Sequence, residues 1–320
     1  MKKHLYTALR VVISLSLLGL LVWLMRDNLE RVFSSLRHAS PLWLWSAFLL
    51  HVGIIMALLS WRMQIVYEAA GITFPFRTAL GLTFVGYFFN NFFPTSMGGD
   101  LVKAYYGGKM SRKNTASFSA VVIDRVFGLY SIFLLGSLAA AFWFQRIANP
   151  LVALMLWAIL IVFTLIVIFF PVFVRLLLRL THGWKGASWL KEHMQIFLDV
   201  ALYYTREKPF TAKVLGLAVL TKILSVITVL FLVLSLGRHI PLTVLFWVVP
   251  LAFAVTLLPS LNGLGIREGV YVYFLGPFIG REDAFALSLL VLGIYILSDI
   301  VGGMVYAFSK DFRKAPYQEK

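Results

Sequence analysis

The chain contains no cysteine, which excludes disulfide bonds, thiolate catalysis and cysteine-ligated metal sites. Its six histidines are scattered and none falls in the H-E-x-x-H spacing of a metal-dependent protease, so we expect neither a metal site nor a cofactor. Charge is scarce as well, because only 13% of the 320 residues are charged, against about a quarter in soluble domains. A soluble fold of this size would lack the polar surface needed to cover its core.

The chain is rich in long apolar segments. Hydrophobic residues make up 60% of the chain, and its mean hydropathy is +0.86. A helix needs about 20 apolar residues to cross roughly 30 Å of hydrocarbon, and runs of that length recur along the chain. They predict an all-α integral membrane protein with a single transmembrane domain over residues 1–320. We expect about six full transmembrane helices, near 8–25, 41–61, 115–144, 150–174, 214–236 and 283–308.

Two further apolar stretches, 74–99 and 241–280, are interrupted by proline and glycine. The breaking residues are Pro94, Gly98, Gly99, Pro259, Gly263 and Gly265. Proline lacks a backbone donor and glycine tolerates a positive φ, so together they stop a helix. Backbone groups freed in this way are tolerated in a membrane only where protein or a wet cavity surrounds them. We therefore predict two re-entrant or broken-helix hairpins, with ordinary interhelical loops as the alternative.

The basic residues favour one topology. If each hairpin returns to the side from which it entered, the segments on the side of the N-terminus carry 20 lysines and arginines, and the opposite segments carry 7. Cytoplasmic loops carry the excess, so we expect a protein of the cytoplasmic (inner) membrane with both termini in the cytoplasm. Residues of about 8–144 and 150–308 then form an inverted-topology repeat. The segment of about 175–213 becomes a cytoplasmic amphipathic segment, with a solvated linker as the alternative.

The net charge of +15 does not indicate a nucleic-acid partner. The basic residues lie between the predicted spans, where they suit membrane topology and anionic headgroups. No run alternates basic and aromatic residues, so we expect membrane lipids as partners and no nucleic acid. The oligomeric state stays open at this point.

Three segments of the sequence resemble a known family. They are Asn91-Phe92-Phe93-Pro94 through Gly98-Gly99-Asp100, then Asp124-Arg125, then Asn262-Gly263-Leu264-Gly265-Ile266-Arg267-Glu268-Gly269. Together they resemble the lysylphosphatidylglycerol synthase transmembrane region family of flippase-like proteins, over essentially the whole chain. The resemblance implies the flippase half alone, since the soluble aminoacyl-transfer domain of the best-known members has no counterpart here. It leaves the substrate open, because other relatives are linked with polyprenyl-phosphate sugar or hopanoid pathways.

Charged residues near the two breaks form the candidate site, because intramembrane charge is costly and usually functional. We expect Arg125 and Arg267 to bind a lipid phosphate, whose oxygens a guanidinium contacts in pairs. The carboxylates near them are expected to hold the arginines in place or to carry a coupling proton. The predicted substrate-binding residues are Arg125, Arg267, Asp100, Asp124, Glu268, Lys103, Asn91 and Asn262. Lys222 and Asp299 form a further candidate ion pair, and purely structural ion pairs are the alternative throughout.

These features predict a lipid translocase, not an enzyme, that moves an anionic or phosphate-bearing lipid across the cytoplasmic membrane. The alternative is a membrane enzyme, or an accessory subunit, that acts on polyprenyl-phosphate-linked substrates. Asp100, Asp124 and Glu268 keep that alternative open, although neither a nucleophile nor a metal motif accompanies them. A scaffold for a partner synthase is a third possibility. An ion channel is disfavoured, because no carbonyl filter or ring of charges repeats within the chain.

Overall fold

The computed structural model describes residues 16, 19–23, 25–90, 98–143, 150–180, 188–257, 263–309 and 312. Within these residues the chain is helical and contains no strand. The helices are α1 Leu29–Arg37, α2 Pro41–Ala69, α3 Phe76–Asn90, α4 Gly98–Ser111, α5 Asn114–Trp143, α6 Pro150–Leu180, α7 Ser188–Arg206, α8 Lys208–Ser235, α9 Leu242–Ala254, α10 Ile266–Ile279 and α11 Arg281–Phe308. Helix α2 contains a π-helical stretch, Leu49–Ile55, and 3-10 turns cover Arg26–Asn28 and Val255–Leu257.

Five of the described helices are long and apolar enough to cross a membrane, namely α2, α5, α6, α8 and α11. They correspond to the second to sixth predicted spans, while most of the first, 8–25, lies outside the described residues. Helix α2 continues to Ala69, whereas the sequence predicted an end near residue 61. Arg62 therefore lies inside a helix and not in a loop. The protein is a multi-pass membrane protein.

Helix α6 shows most clearly that lipid surrounds the protein. In the most apolar 18-residue stretch of this helix, only 6% is buried inside the protein. Ile161, Ile168 and Phe169 are each 59–60% exposed. A continuous apolar surface of this length is rare on a protein in water, so α6 lies against hydrocarbon.

Two helix pairs, α3 with α4 and α9 with α10, occupy the interrupted stretches. Their arms have 15, 14, 13 and 14 residues. At 1.5 Å per residue each arm is about 20 Å long, which is shorter than the roughly 30 Å of hydrocarbon. The two arms of each pair pack against each other. Each stretch therefore contains two packed helices that are too short to cross alone.

Helix α7 lies within the predicted amphipathic segment, 175–213. The segment is shorter than predicted, because α6 extends to Leu180 and α8 begins at Lys208. Leu198, Val200 and Tyr204 of α7 are buried. The helix packs against α5, α6 and α8, so it is part of the fold and not a solvated linker.

The hydrophobic core has two large clusters, each largely within one half of the chain, and a small third one. The first lies mainly among α2 to α5 and includes Tyr67 and Leu82. The second lies mainly among α8 to α11 and includes Leu245 and Leu275. The halves meet where α3 packs on α11 and where α9 packs on α5. The interior between the clusters is therefore lined by both halves.

Helix α1 is tied to the start of α11 through one carboxylate. Asp283 accepts a hydrogen bond from Ser35 Oγ through Oδ1 and another from Arg238 Nε through Oδ2, both at 2.6 Å. Val32 of α1 packs in the same small cluster as Phe285 of α11. The carboxylate thus joins α1, the loop before α9 and α11.

Candidate functional site

A cavity of about 160 Å³ lies between the two halves. Helices α2 to α5 line it from the first half, and α8 to α11 line it from the second. Its charged lining residues are Arg62, Asp100, Lys103, Asp124, Arg125, Lys222, Arg267 and Asp299. Five basic and three acidic side chains line the cavity, and Glu268, which pairs with Arg267 from behind, reduces the basic excess to one residue. A cavity with this balance attracts an anion.

Arg62 of α2 and Asp124 of α5 form a bidentate ion pair at the cavity wall. Arg62 Nε donates to Oδ1 of Asp124 at 2.7 Å, and Nη2 donates to Oδ2 at 2.9 Å. These are the distances of strong charge-assisted hydrogen bonds, so both oxygens of Asp124 are committed to Arg62. Nη1 of Arg62, by contrast, is buried and has no hydrogen-bond partner within the described part of the chain.

Asp100, in the first turn of α4, is held loosely between two cations. Its Oδ1 lies 3.4 Å from Lys103 Nζ, and its Oδ2 lies 3.5 Å from Arg125 Nη1. Both distances exceed the roughly 2.7–2.9 Å of a close charge-assisted hydrogen bond. Among the residues that the structure describes, the buried atoms Asp100 Oδ2 and Arg125 Nε have no hydrogen-bond partner.

Arg267 and Glu268 form a tight pair at the start of α10. Arg267 Nη2 and Nε donate to Glu268 Oε1 at 2.6 and 3.1 Å. Oε2 of Glu268 accepts the backbone N–H of Gly265 at 2.6 Å, which caps the helix. The Arg267 guanidinium also lies over the ring of Tyr295 in α11, 5.1 Å from its centre. The Glu268 side chain is 0% exposed, and Arg267 is its ion-pair partner within the described residues. The pair lies within α10, and the contact of Arg267 with Tyr295 links it to α11.

Lys222 of α8 has no carboxylate at ion-pair distance within the described residues. Its Nζ lies over the ring of Phe253, 4.5 Å from the centre. The predicted ion pair between Lys222 and Asp299 is therefore not found there, and Asp299 has another contact. Lys222 is thus a basic residue of the cavity wall whose amine has no carboxylate partner among the described residues.

The glycines of the two breaks have different roles. Gly263 and Gly265 have φ values of +81° and +85°, which residues with a Cβ rarely adopt. These backbone conformations turn the chain into α10. Gly99 lies inside α4, and its N–H donates to Asn90 Oδ1 at 2.7 Å. A Cβ at Gly99 would lie 1.9 Å from the carbonyl oxygen of Gly86. Gly99 therefore permits the close approach of the α3 and α4 arms.

The structure brings five of the predicted binding residues into one cavity: Asp100, Lys103, Asp124, Arg125 and Arg267. Glu268 lies behind Arg267 and does not line the cavity. Asn91, Asn262, Pro94 and Pro259 lie outside the described residues, and Gly98 is the first residue of α4. Asp124 and Arg125 serve different partners, as their adjacent positions on a helix predict.

Sequence reasoning missed Arg62 as a site residue. The predicted span ended at residue 61, because the charge of Arg62 ends the uninterrupted apolar run. The signal lay in the residues that follow, since Ile65-Val66-Tyr67 continue the apolar helix past the charge. Tyr87 and Tyr295, which also line the cavity, were missed because tyrosine is common throughout this chain.

No group of three or more histidine, aspartate or glutamate side chains within the described residues could hold a metal ion. Asp124 and Glu268 already accept short hydrogen bonds from arginine. Besides Asp100 Oδ2, the uncommitted atoms around the cavity include Nη1 of Arg62 and Nε of Arg125, and such donors bind anionic oxygen atoms.

The chain belongs to the family described as the lysylphosphatidylglycerol synthase TM region, whose model matches residues 8–303. The resemblance drawn from the break segments is thereby confirmed. A UPF0104 membrane protein of Methanothermobacter thermautotrophicus is 26% identical over 265 residues, which cover 75% of this chain and 77% of the relative. The matched region is a membrane region and not a catalytic domain, and it contains every residue that lines the cavity.

Proposed function

We propose that this member of the lysylphosphatidylglycerol synthase transmembrane region family is a lipid translocase that moves an anionic or phosphate-bearing lipid across the cytoplasmic membrane. The observation that carries the proposal is the cationic cavity between the halves, where Arg62, Arg125 and Lys222 present donors without partners among the described residues. Charges that face a cavity inside a membrane protein usually mark a substrate pathway. Buried polar groups are usually hydrogen-bonded, so unsatisfied donors in the wall of a cavity favour a ligand over ion pairs with a purely structural role.

The size of the cavity supports a headgroup as the bound part of the lipid. Its volume of about 160 Å³ is below the roughly 300–1,000 Å³ of pockets that enclose a drug-sized molecule. A whole lipid does not fit in this volume, whereas a small polar headgroup does. We propose that the headgroup crosses through the cavity while the chains stay in the surrounding hydrocarbon.

An inverted-topology repeat is the proposed framework for this movement. If α2 to α5 correspond to α8 to α11, the helix contacts occur in matched pairs. The contact of α3 with α11 has its counterpart in that of α9 with α5, and the contact of α4 with α5 has its counterpart in that of α10 with α11. Such a repeat places the site between two units that can rock against each other, which is the usual basis of alternating access.

The proposed orientation has both termini in the cytoplasm. Arg62, Lys103 and Arg267 were counted as loop residues in the sequence, but they line the cavity. Without them, the proposed cytoplasmic segments keep 20 − 2 = 18 basic residues, and the opposite segments keep 7 − 1 = 6. The charge bias therefore continues to favour this orientation.

Single cysteines at the two ends of α8 test the orientation, because the chain has no cysteine of its own. Glu207 and His239 are exposed and flank α8. We expect His239→Cys to react with a membrane-impermeant maleimide in right-side-out cells, and Glu207→Cys to react only after permeabilisation. The reverse pattern of labelling would invert the proposed topology, and reaction of both sites from one side would remove α8 as a span.

The translocation proposal is tested in proteoliposomes with headgroup-labelled lipids of several classes, including a polyprenyl phosphate. We expect the wild type to speed the transbilayer movement of one phosphate-bearing class. Arg125→Ala should slow this movement tenfold or more, because a hydrogen bond to a charged group contributes about 1.5–3 kcal/mol. Arg77→Ala is the matched control, since Arg77 is exposed and does not line the cavity. If no class moves faster than in empty vesicles, the protein is not a translocase of these lipids.

The same vesicles test the alternative of an enzyme or accessory subunit acting on polyprenyl-phosphate-linked substrates. Chemical conversion of the labelled polyprenyl phosphate, with and without added divalent metal, is followed by chromatography. Turnover without transbilayer movement would favour the enzyme. Movement without turnover supports the translocase.

A further inference from the structure

The three carboxylates that pair with the cations of the cavity wall are bound to very different extents. Asp124 accepts two hydrogen bonds from Arg62 at 2.7 and 2.9 Å, and Glu268, behind the wall, accepts two from Arg267 at 2.6 and 3.1 Å. Asp100 has only the contacts of 3.4 and 3.5 Å with Lys103 and Arg125. Asp100 is therefore the carboxylate that an incoming anion could replace at the lowest cost.

The donors near Asp100 are also the least committed ones. Arg125 makes no hydrogen bond within the described part of the chain, although a guanidinium has five N–H groups. Arg62 is 5% exposed and keeps Nη1 without a partner among those residues. Lys222 contacts the ring of Phe253 and no described carboxylate. A buried donor without a partner is costly, so Nη1 of Arg62 and Nε of Arg125, with Lys222 lining the same cavity, indicate a missing anion.

We infer that Arg62, Arg125 and Lys222 form a phosphate subsite, and that Asp100 is its resident counter-ion, which releases Arg125 when a phosphate group binds. This inference rests on the proposed function for the lipid that would carry the phosphate. The chemistry itself, a tetrahedral phosphate group, is common to a lipid headgroup and to free inorganic phosphate.

Phosphate matches these donors in geometry and charge. Its oxygens point in several directions and can accept hydrogen bonds from two guanidinium groups and an ammonium group at once. If Asp100 kept its contact with Arg125, two anions would share the same cation and repel each other. Asp100 therefore leaves Arg125 as the phosphate arrives.

Lys103 gives Asp100 a second partner. It lies one turn further along α4, at the i,i+3 position, and already contacts Asp100 Oδ1. Asp100 can thus turn from Arg125 to Lys103 by a rotation of its side chain. The first turn of α4 need not move, because the hydrogen bond from the Gly99 N–H to Asn90 Oδ1 holds it in place.

Two substitutions in this network are expected to act in opposite directions. The probe is inorganic phosphate, titrated into the full-length protein in detergent and followed by calorimetry. Asp100→Asn removes the competing anion and should tighten phosphate binding about tenfold, or about 1.4 kcal/mol. Lys103→Gln leaves Arg125 as the one cation for Asp100 and should weaken phosphate binding. Arg125→Ala and Lys222→Met should weaken it tenfold or more, and Arg77→Ala should not change it.

Because phosphate affinity is expected to rise in Asp100→Asn and to fall in Lys103→Gln, the inference can be tested even where a variant is less stable. Thermal midpoints without phosphate measure the stability of each variant separately. If Asp100 only stabilises the fold, both Asp100→Asn and Lys103→Gln will lower the midpoint, and phosphate affinity will fall or stay constant in both. That result overturns the inference, as does a wild type that binds no phosphate.

A second arm distinguishes the two sources of phosphate. Dioleoyl phosphatidic acid in mixed micelles replaces inorganic phosphate, with dioleoyl phosphatidylcholine as the lipid control. Tighter binding of phosphatidic acid than of inorganic phosphate, with the same order among variants, assigns the subsite to a lipid headgroup. Equal affinities assign it to free phosphate. Phosphate binding without lipid movement in vesicles would retain the subsite and reject the translocase. Lipid movement that Arg125→Ala leaves unchanged would retain the translocase and reject the subsite.

Discussion

Gly302→Ala is expected to lower the free energy of unfolding by about 1–3 kcal/mol, the usual cost of overpacking a close-packed interior. A Cβ at Gly302 would lie 2.2 Å from the carbonyl oxygen of Phe84 and 3.0 Å from Cβ of Phe88. The carbonyl belongs to the backbone of α3 and cannot turn away without distorting that helix. Helix α11 would have to move back from α3, and both helices line the cavity. The thermal midpoint in detergent, followed by the fluorescence of the nine tryptophans, measures the effect.

Gly293→Ala is the matched control, because Gly293 lies in the same helix and a Cβ there would meet nothing within 4 Å. Alanine is a better helix former than glycine by up to about 1 kcal/mol, so this substitution should leave the midpoint unchanged or raise it. Equal losses at both positions would mean that the close approach of α3 to α11 does not explain the effect, because helix propensity and the entropy of the unfolded chain both favour alanine.

Asp124→Ala is expected to be more damaging, with a loss of about 3–5 kcal/mol, because it leaves the Arg62 guanidinium buried without its counter-charge. The double substitution Arg62→Met with Asp124→Leu removes both charges and should recover most of that stability, since apolar residues of similar size often replace a buried pair at little cost. Lipid movement should not recover, because the cavity loses one donor of the proposed headgroup site. Thermal midpoints and the vesicle assay give the two readouts.

This pair of results separates folding from function. A double variant that folds and moves lipid at the rate of the wild type would show that the Arg62–Asp124 pair is structural only. A double variant that stays as unstable as Asp124→Ala would show that the pair contributes more than charge compensation at the contact of α2 with α5. Gly293→Ala serves here too, as a variant that changes neither the charge nor the lining of the cavity.

The sequence predicted the second to sixth spans well, because hydrocarbon thickness and hydropathy act on each segment by itself. The predicted last span began at residue 283, and α11 begins at Arg281. The interruption of the stretches 74–99 and 241–280 was predictable for the same reason, since proline and glycine act on their own backbone. Even the family could be recognised, because Asp100, Asp124 and Arg267 stand in segments that resemble it. Errors occurred where a charge interrupted an apolar run, as at Arg62.

The sequence by itself determined that the chain is a multi-pass helical membrane protein with two interrupted segments and charges beside them. Each of these properties depends on residues that are close together in the sequence, so the sequence alone is enough to predict it. Only the tertiary structure decided which charges meet. Arg62 pairs with Asp124 across 62 positions of the chain, and Lys222 comes to the same cavity from the other half. Electrostatic partners are set by distance in space, so the cavity and its uncommitted donors exist only once α2 to α5 have packed against α8 to α11.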